Sequence, residues 1–305
     1  MSSQRRHGEP LPLGNTGLPY SKGLMARALI ATGVPADQAY GLARRIELDL
    51  AEAGEPAIDV ERLEVLAFEV LGEDEGARAV RRLRRLADLQ QLDVPLIVLI
   101  GGSTGTGKST VAAEVAHRLG ITRVASTDFI RQTMRAFFSP EFMPTIHYSS
   151  FEAGRALVDD DVTGDPTILG FLDQCRHVCV GVDAAIRRAL TEGWSMVLEG
   201  VHLVPGLLPA EVDGVLLVHI VLEIADEDVH RLHFHVRDSA TGGVRPMSRY
   251  LDRLDDIRRV QSYVSGRSRR EGVPVVENAN VERSIDQVIG LVMDAAERLR
   301  ETEPV

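Results

Sequence analysis

Residues 96–100 read Leu-Ile-Val-Leu-Ile and run without a polar interruption into Gly101, Gly102, Ser103, Thr104, Gly105, Thr106, Gly107, Lys108 and Ser109. An aliphatic run of that kind belongs to a strand buried on both faces, as in a parallel sheet covered by helices. The glycine-rich stretch satisfies the spacing G-x-x-x-x-G-K-[ST] from Gly102 to Ser109, directly after an expected strand and at the opening of an expected helix. The glycines let the backbone curl so that its N–H groups point inward, and a helix beginning near Lys108 adds the positive end of its dipole. Residues 102–110, ending in Thr110, are therefore read as a cradle for the polyphosphate of a nucleoside triphosphate. Lys108 should reach the β and γ phosphates, and the Ser109 hydroxyl should hold a magnesium ion.

The rest of the chain beyond residue 93 alternates short apolar runs with longer helical ones. Strands are expected at 96–100, 122–126, 194–198, 215–222 and 273–276, and helices at 108–119, 128–138, 168–192, 226–236, 248–270 and 281–300. This is an α/β pattern, a P-loop kinase-type parallel sheet of about five strands flanked by helices and spanning 93–302. Residues 19–90 have a different period. Helical stripes there are punctuated by Gly33, Pro35 and Gly54 and capped by Ser21 and Asp59, which makes a small helical domain. Residues 1–18 hold two prolines and three glycines with no sustained period and read as a flexible tail.

Candidate chemistry gathers where the expected strands end. Asp128 comes directly after the second strand, at the carboxyl edge where open α/β sheets bind ligands, so its carboxylate can orient or deprotonate an acceptor hydroxyl; the alternative is a simple helix N-cap. Arg131 and Arg135 lie on one face of the next helix and can present guanidinium groups to a carboxylate or phosphate. Glu199 closes the third strand, where a magnesium-associated acid would stand, and His202 on the same loop is either a ligand contact or a surface histidine. The segment 143–150, with His147 and Tyr148, is rich in hydrogen-bonding groups and reads either as a substrate loop or as an ordinary connection. Arg231, Arg237, Arg245 and Arg249 bracket a Ser-Ala-Thr-Gly-Gly stretch with the composition of a hinged lid. Arg237 and Arg245 are taken as the catalytic pair beside Lys108 and Asp128.

Several other readings are set aside. The net charge of −11 argues against a protein that coats nucleic acid, and the arginines at 78, 81, 82, 84 and 85 are read as a solvated helix face. No apolar stretch reaches the length of a bilayer span and the first residues lack the core of a signal peptide, so no membrane partner and a cytoplasmic address are expected. Cys175 and Cys179 are read as two buried thiols on one helix face, and the run from Asp159 to Asp161 as a solvated loop. No Asn-Lys-x-Asp base-reading motif of a GTPase occurs.

These residues carry a resemblance. Pro19, Tyr20, Ser21, Lys22 and the run to Leu29, then the P-loop, Ser126-Thr127-Asp128, Ser139-Pro140, Pro144-Thr145 and His147-Tyr148-Ser149-Ser150, and on to Tyr250-Leu251 and Val273-Pro274-Val275, resemble the 2-phosphoglycerate kinase family of archaea and some bacteria. The resemblance covers almost the whole chain, and the His-Tyr-Ser-Ser loop is its most specific part. It implies that residues 19–90 are an ATP-cone-like domain. It also implies a magnesium-dependent kinase that moves the γ-phosphate of ATP to the 3-hydroxyl of 2-phospho-D-glycerate, giving 2,3-bisphosphoglycerate and ADP. The residues alone fit any small phosphorylated or hydroxy acid, glycerate and lactate included. A nucleotide-sensing regulator is the alternative from another class, and a homo-oligomer is compatible with either.

Overall fold

In the computed structural model of the chain the described residues are 20–90, 92–157, 163–241 and 247–302. They divide into two compact units. One takes the residues up to Val94 together with Val115–Thr122 and the stretch from Met293; the other takes Pro95–Glu114 and Arg123–Val292. Two helices that belong to the sheet region by period thus lend their C-terminal ends to the helical unit.

The helical unit contains α1 (Lys22–Ala31), α2 (Ala36–Ala53), α3 (Val60–Leu71) and α4 (Glu73–Gln90). Ser21 and Asp59 are N-caps, accepting hydrogen bonds from the backbone N–H of Leu24 and Arg62, and Gly54 closes α2 in the left-handed conformation. The stripes meet in a core of Met25, Leu29, Leu42, Ile46, Leu63 and Leu83. The basic run on α4 is more than a solvated face. Arg78 pairs with Glu75, Arg84 with Glu64, Arg85 with Asp294, and Arg82 donates to the carbonyl of Thr32.

The α/β unit is built on β1 (Leu96–Gly102), β2 (Val124–Ser126), β3 (Met196–Glu199), β4 (Leu216–Glu223) and β5 (Val275–Glu277). All neighbouring pairs are parallel and the order is β2-β3-β1-β4-β5, so β1 is central. Every residue of β1 is buried, as its unbroken apolar run demands. The helices are α5 (Lys108–Arg118), α6 (Thr127–Phe137), α7 (Pro166–Glu192), α8 (Glu227–Thr241), α9 (Met247–Leu251), α10 (Leu254–Arg270) and α11 (Val281–Thr302). Val182 and Ile186 of α7 pack on Ile97, Leu99 and Leu198, while Phe171 joins Val221, Val260 and Val264. Cys175 and Cys179 are buried on α7.

Two local expectations change. The helix expected over 248–270 is two, because the backbone breaks at Asp252–Arg253 between α9 and α10. The loop expected near 143–150 holds the 3-10 turn Pro144–His147 and opens a second, Ser150–Ala156; the proline starts the first turn, where its missing N–H would have no partner within the turn. Among the described residues no helix is long and apolar enough to cross a membrane. The run from Asp159 to Asp161 lies outside the described residues.

Candidate active site

The parallel sheet sends its chemistry to one edge. The loop after β1 carries the phosphate cradle, Asp128 stands just past β2, Glu199 ends β3 and Asn278 stands just past β5, so the carboxyl ends of the strands bring together residues far apart in sequence. Within the cradle Gly105 and Gly107 have φ of +88° and +80°, a region that side chains avoid. A Cβ on Gly105 would also overlap the Phe234 ring, and one on Gly107 the Asn278 amide. Lys108 is buried, and its Nζ donates to the carbonyl of Ser103 at 2.6 Å. The ammonium therefore lies folded over the loop it serves.

Ser109 Oγ donates to Glu199 Oε1 at 3.1 Å. The two residues read from sequence as magnesium-associated are thus neighbours, and their hydroxyl and carboxylate oxygens suit a hard cation that keeps most of its other ligands as water and phosphate. Among the described residues no cluster of three or more His, Cys, Asp or Glu could hold a metal alone.

Asp128 does not cap its helix. Ser126 is the N-cap of α6, and its Oγ accepts the Asp128 N–H at 3.2 Å. The Asp128 side chain, 61 % exposed, instead faces a cavity of about 660 Å³ and pairs with Arg131 at 3.3 Å. Enclosure by protein works to raise its pKa, and His202, Arg131 and Lys108 outweigh that and hold it below the ordinary value. It is a carboxylate at neutral pH.

The cavity wall includes Thr104 of the cradle, Asp128, Arg135, His147, Tyr148, Ser149 and Arg249. Arg131 also lines it, but its guanidinium is largely engaged. Nη1 donates to the carbonyls of Ile146 and Tyr148, both at 2.9 Å, which fastens the 3-10 turn to α6. His147 Nε2 donates to the carbonyl of Phe138 at 3.0 Å. Arg135 is exposed and bonded only to Gln132 of its own helix in the described contacts. Arg249 reaches Ser149 Oγ and Glu152 Oε2 at 3.1 and 3.2 Å. Of the two lid arginines whose side chains are described, Arg231 and Arg249, it is Arg249 that stands at the cavity. Arg231 pairs with Glu227 on its own helix, the Arg237 side chain is not among those described, and Arg245 lies outside the described residues.

Behind the cavity is a buried network. His202 is fully buried, which lowers its pKa to about 4 and keeps it neutral. Gln174 Nε2 donates to the carbonyls of Thr145 and Tyr148, which leaves Oε1 as acceptor for His202 Nε2 at 3.0 Å. Nδ1 must then accept from the Thr127 hydroxyl at 2.7 Å. Because His202 is neutral at pH 7, Arg131 and Lys108 are the charges that act on Asp128 there. Gln174 gave no signal in sequence, since a polar residue inside a long helix is ordinarily solvated.

A phosphate-cradling loop on a five-stranded parallel sheet, with a lysine over the loop and a carboxylate facing an arginine-lined cavity beside it, defines a P-loop kinase acting on a small molecule. No family model matches the chain. It is 36 % identical over 281 residues to the 2-phosphoglycerate kinase of Pyrococcus furiosus, covering 92 % of this chain and 91 % of that one. It is 39 % identical over 273 residues to that of Methanothermobacter thermautotrophicus, covering 89 % of each. The chain belongs to the 2-phosphoglycerate kinase family. A gluconokinase structure from Sinorhizobium meliloti is 19 % identical, covers 69 % of this chain and 99 % of its own, and has a TM-score of 0.38, too distant a likeness to argue from.

Proposed function

We propose that the chain transfers the γ-phosphoryl group of ATP to the 3-hydroxyl of 2-phospho-D-glycerate, giving 2,3-bisphosphoglycerate and ADP. The observation that carries the reading is the Asp128 carboxylate, spared from capping by Ser126 and turned to a cavity that also holds Thr104, Arg135 and Arg249. The acceptor's hydroxyl would donate to Asp128, which orients it toward the γ-phosphorus; Arg135 and Arg249 would take its phosphate and carboxylate. Lys108 leaves the Ser103 carbonyl for the β and γ phosphates, offsetting the charge that spreads over the phosphoryl oxygens. Ser109 and Glu199 would hold magnesium, directly or through water, and the ion supplies charge neutralisation on the nucleotide. As the acceptor oxygen–phosphorus bond forms, the bond from the γ-phosphorus to the bridging oxygen of ADP breaks, and the hydroxyl proton passes to Asp128 or to water. Arg131 keeps the 144–148 turn in place rather than serving as the main anion contact, which modifies its expected role.

The test is ADP release coupled to each of 2-phosphoglycerate, glycerate, lactate and no acceptor. Strong stimulation by 2-phosphoglycerate is expected, and a rate indifferent to every acceptor refutes the proposal and favours the nucleotide-sensing alternative. Asp128→Asn should lower kcat at least about 100-fold, the scale of losing a general base, with ATP affinity within twofold. Equal losses in both would assign Asp128 to the nucleotide and its cation instead.

A further inference from the structure

Four consecutive carbonyls of the phosphate cradle are capped by side chains. Lys108 Nζ and Thr106 Oγ1 take the carbonyl of Ser103 from within the loop. The next three are met from outside it. His230 Nε2 lies 2.9 Å from the oxygen of Thr104, His233 Nδ1 lies 3.1 Å from that of Gly105, and Asn278 Nδ2 donates to that of Thr106 at 2.8 Å. A carbonyl oxygen only accepts, so each imidazole presents an N–H there: His230 carries its proton on Nε2, His233 on Nδ1.

Each of those carbonyls shares a peptide plane with the next N–H along the chain. The three N–H groups are those of Gly105, Thr106 and Gly107, the ones a phosphate-binding loop turns toward the anion. A donor on the carbonyl fixes the plane and draws charge through the amide, strengthening the N–H at its other end by about 10–30 % per bond. The geometry points to His230, His233 and Asn278 as positioning residues for nucleotide binding, which hold the peptide planes of the cradle in their phosphate-binding orientation and polarise them.

Packing alone does not account for these side chains. His230 and Asn278 are fully buried, yet His230 Nδ1 and Asn278 Oδ1 have no hydrogen-bond partner among the described residues. An apolar residue would avoid that cost, so the polar group is retained for the bond it does make. His230 is also locked in orientation. Its ring stacks on Phe234 at 5.2 Å, and Phe234 stacks on Tyr250 at 5.1 Å. Burial lowers its pKa to about 4, so the imidazole serves as a neutral donor through the ordinary pH range.

The inference rests on nucleotide binding at the P-loop and is independent of the acceptor. It is tested by calorimetric titration of the full chain with ADP and, separately, with pyrophosphate, which has no base or sugar. His233→Leu and Asn278→Leu, with His230→Leu where it folds, should each weaken both ligands about fivefold, the scale of one hydrogen bond. His230→Gln and His233→Asn set an amide nitrogen near the original donor and should recover most of the affinity. Half-buried His233 carries the test if the His230 variants do not melt cooperatively. Unchanged affinity, a loss confined to ADP, or a loss that tracks the melting temperature and resists the amide substitutions would each overturn the inference. A parent chain that binds neither ligand would instead refute nucleotide binding itself.

Discussion

Gln174→Leu probes the network that ties the substrate loop to the rest of the site. The two side chains are close in volume, so packing changes little and the cost is polar. His202 Nε2–H loses the acceptor it has in Gln174 Oε1, and stranding a buried donor costs about 1–3 kcal/mol. The carbonyl of Thr145 keeps the Tyr148 N–H at 3.3 Å and that of Tyr148 keeps Arg131 Nη1 at 2.9 Å. Those two therefore forfeit only a net hydrogen bond each, about 0.5–1.5 kcal/mol apiece. The total is about 2–6 kcal/mol, its lower end applying if the imidazole moves its proton to Nδ1 and turns the Thr127 hydroxyl into an acceptor. For a unit of this size, which loses about 2–4 °C for each kcal/mol, that lowers Tm by about 4–24 °C. Thermal unfolding monitored by circular dichroism measures it. Because the freed segment supplies His147, Tyr148 and Ser149 to the cavity, KM for the acceptor should rise while KM for ATP stays within twofold. A Tm loss under 2 °C, or equal rises in both constants, would refute the reasoning.

Two further outcomes are set by the geometry. Gly200 has φ of +152° and a Cβ there would overlap the Thr127 hydroxyl, so Gly200→Ala should destabilise by about 3 kcal/mol or more through strain and crowding; a shift below about 1 kcal/mol in a urea melt would contradict this. His202, His219 and His230 have pKa values lowered to about 4, chiefly by burial. Between pH 6.5 and 4 the unfolded chain then binds more protons than the folded one, so stability falls as the pH is lowered through that window, each histidine contributing up to about 3 kcal/mol. Urea midpoints at pH 7 and pH 5 check this, and a midpoint unchanged or higher at pH 5 would count against it.

The parts of the site legible in sequence are those whose chemistry is local. The cradle is one: Gly102, Gly107, Lys108 and Ser109 depend on a single turn between a strand and a helix, and backbone sterics alone dictate their spacing. Asp128 and Glu199 were legible because strand ends in a parallel sheet share one edge. Residues acting across elements were not. Gln174 lies mid-helix, and nothing in helical periodicity distinguishes a buried amide with three partners from an exposed one. Arg131 and Arg135 share a face by spacing, but only the position of the 144–148 turn engages the first with carbonyls and leaves the second at the cavity.

By itself, then, the sequence determined that a buried parallel strand feeds a phosphate-binding turn, since an unbroken apolar run leading into that glycine spacing has few other stable conformations. Only the tertiary structure decided which side chains surround the turn. Ser126 rather than Asp128 caps α6. Arg249, rather than Arg231, stands at the cavity among the described lid arginines, and two histidines and an asparagine close on the carbonyl side of the cradle. The physical reason is sequence separation. Asn278 meets a carbonyl 172 residues away, and no local propensity encodes a bond whose partners are brought together by the whole sheet.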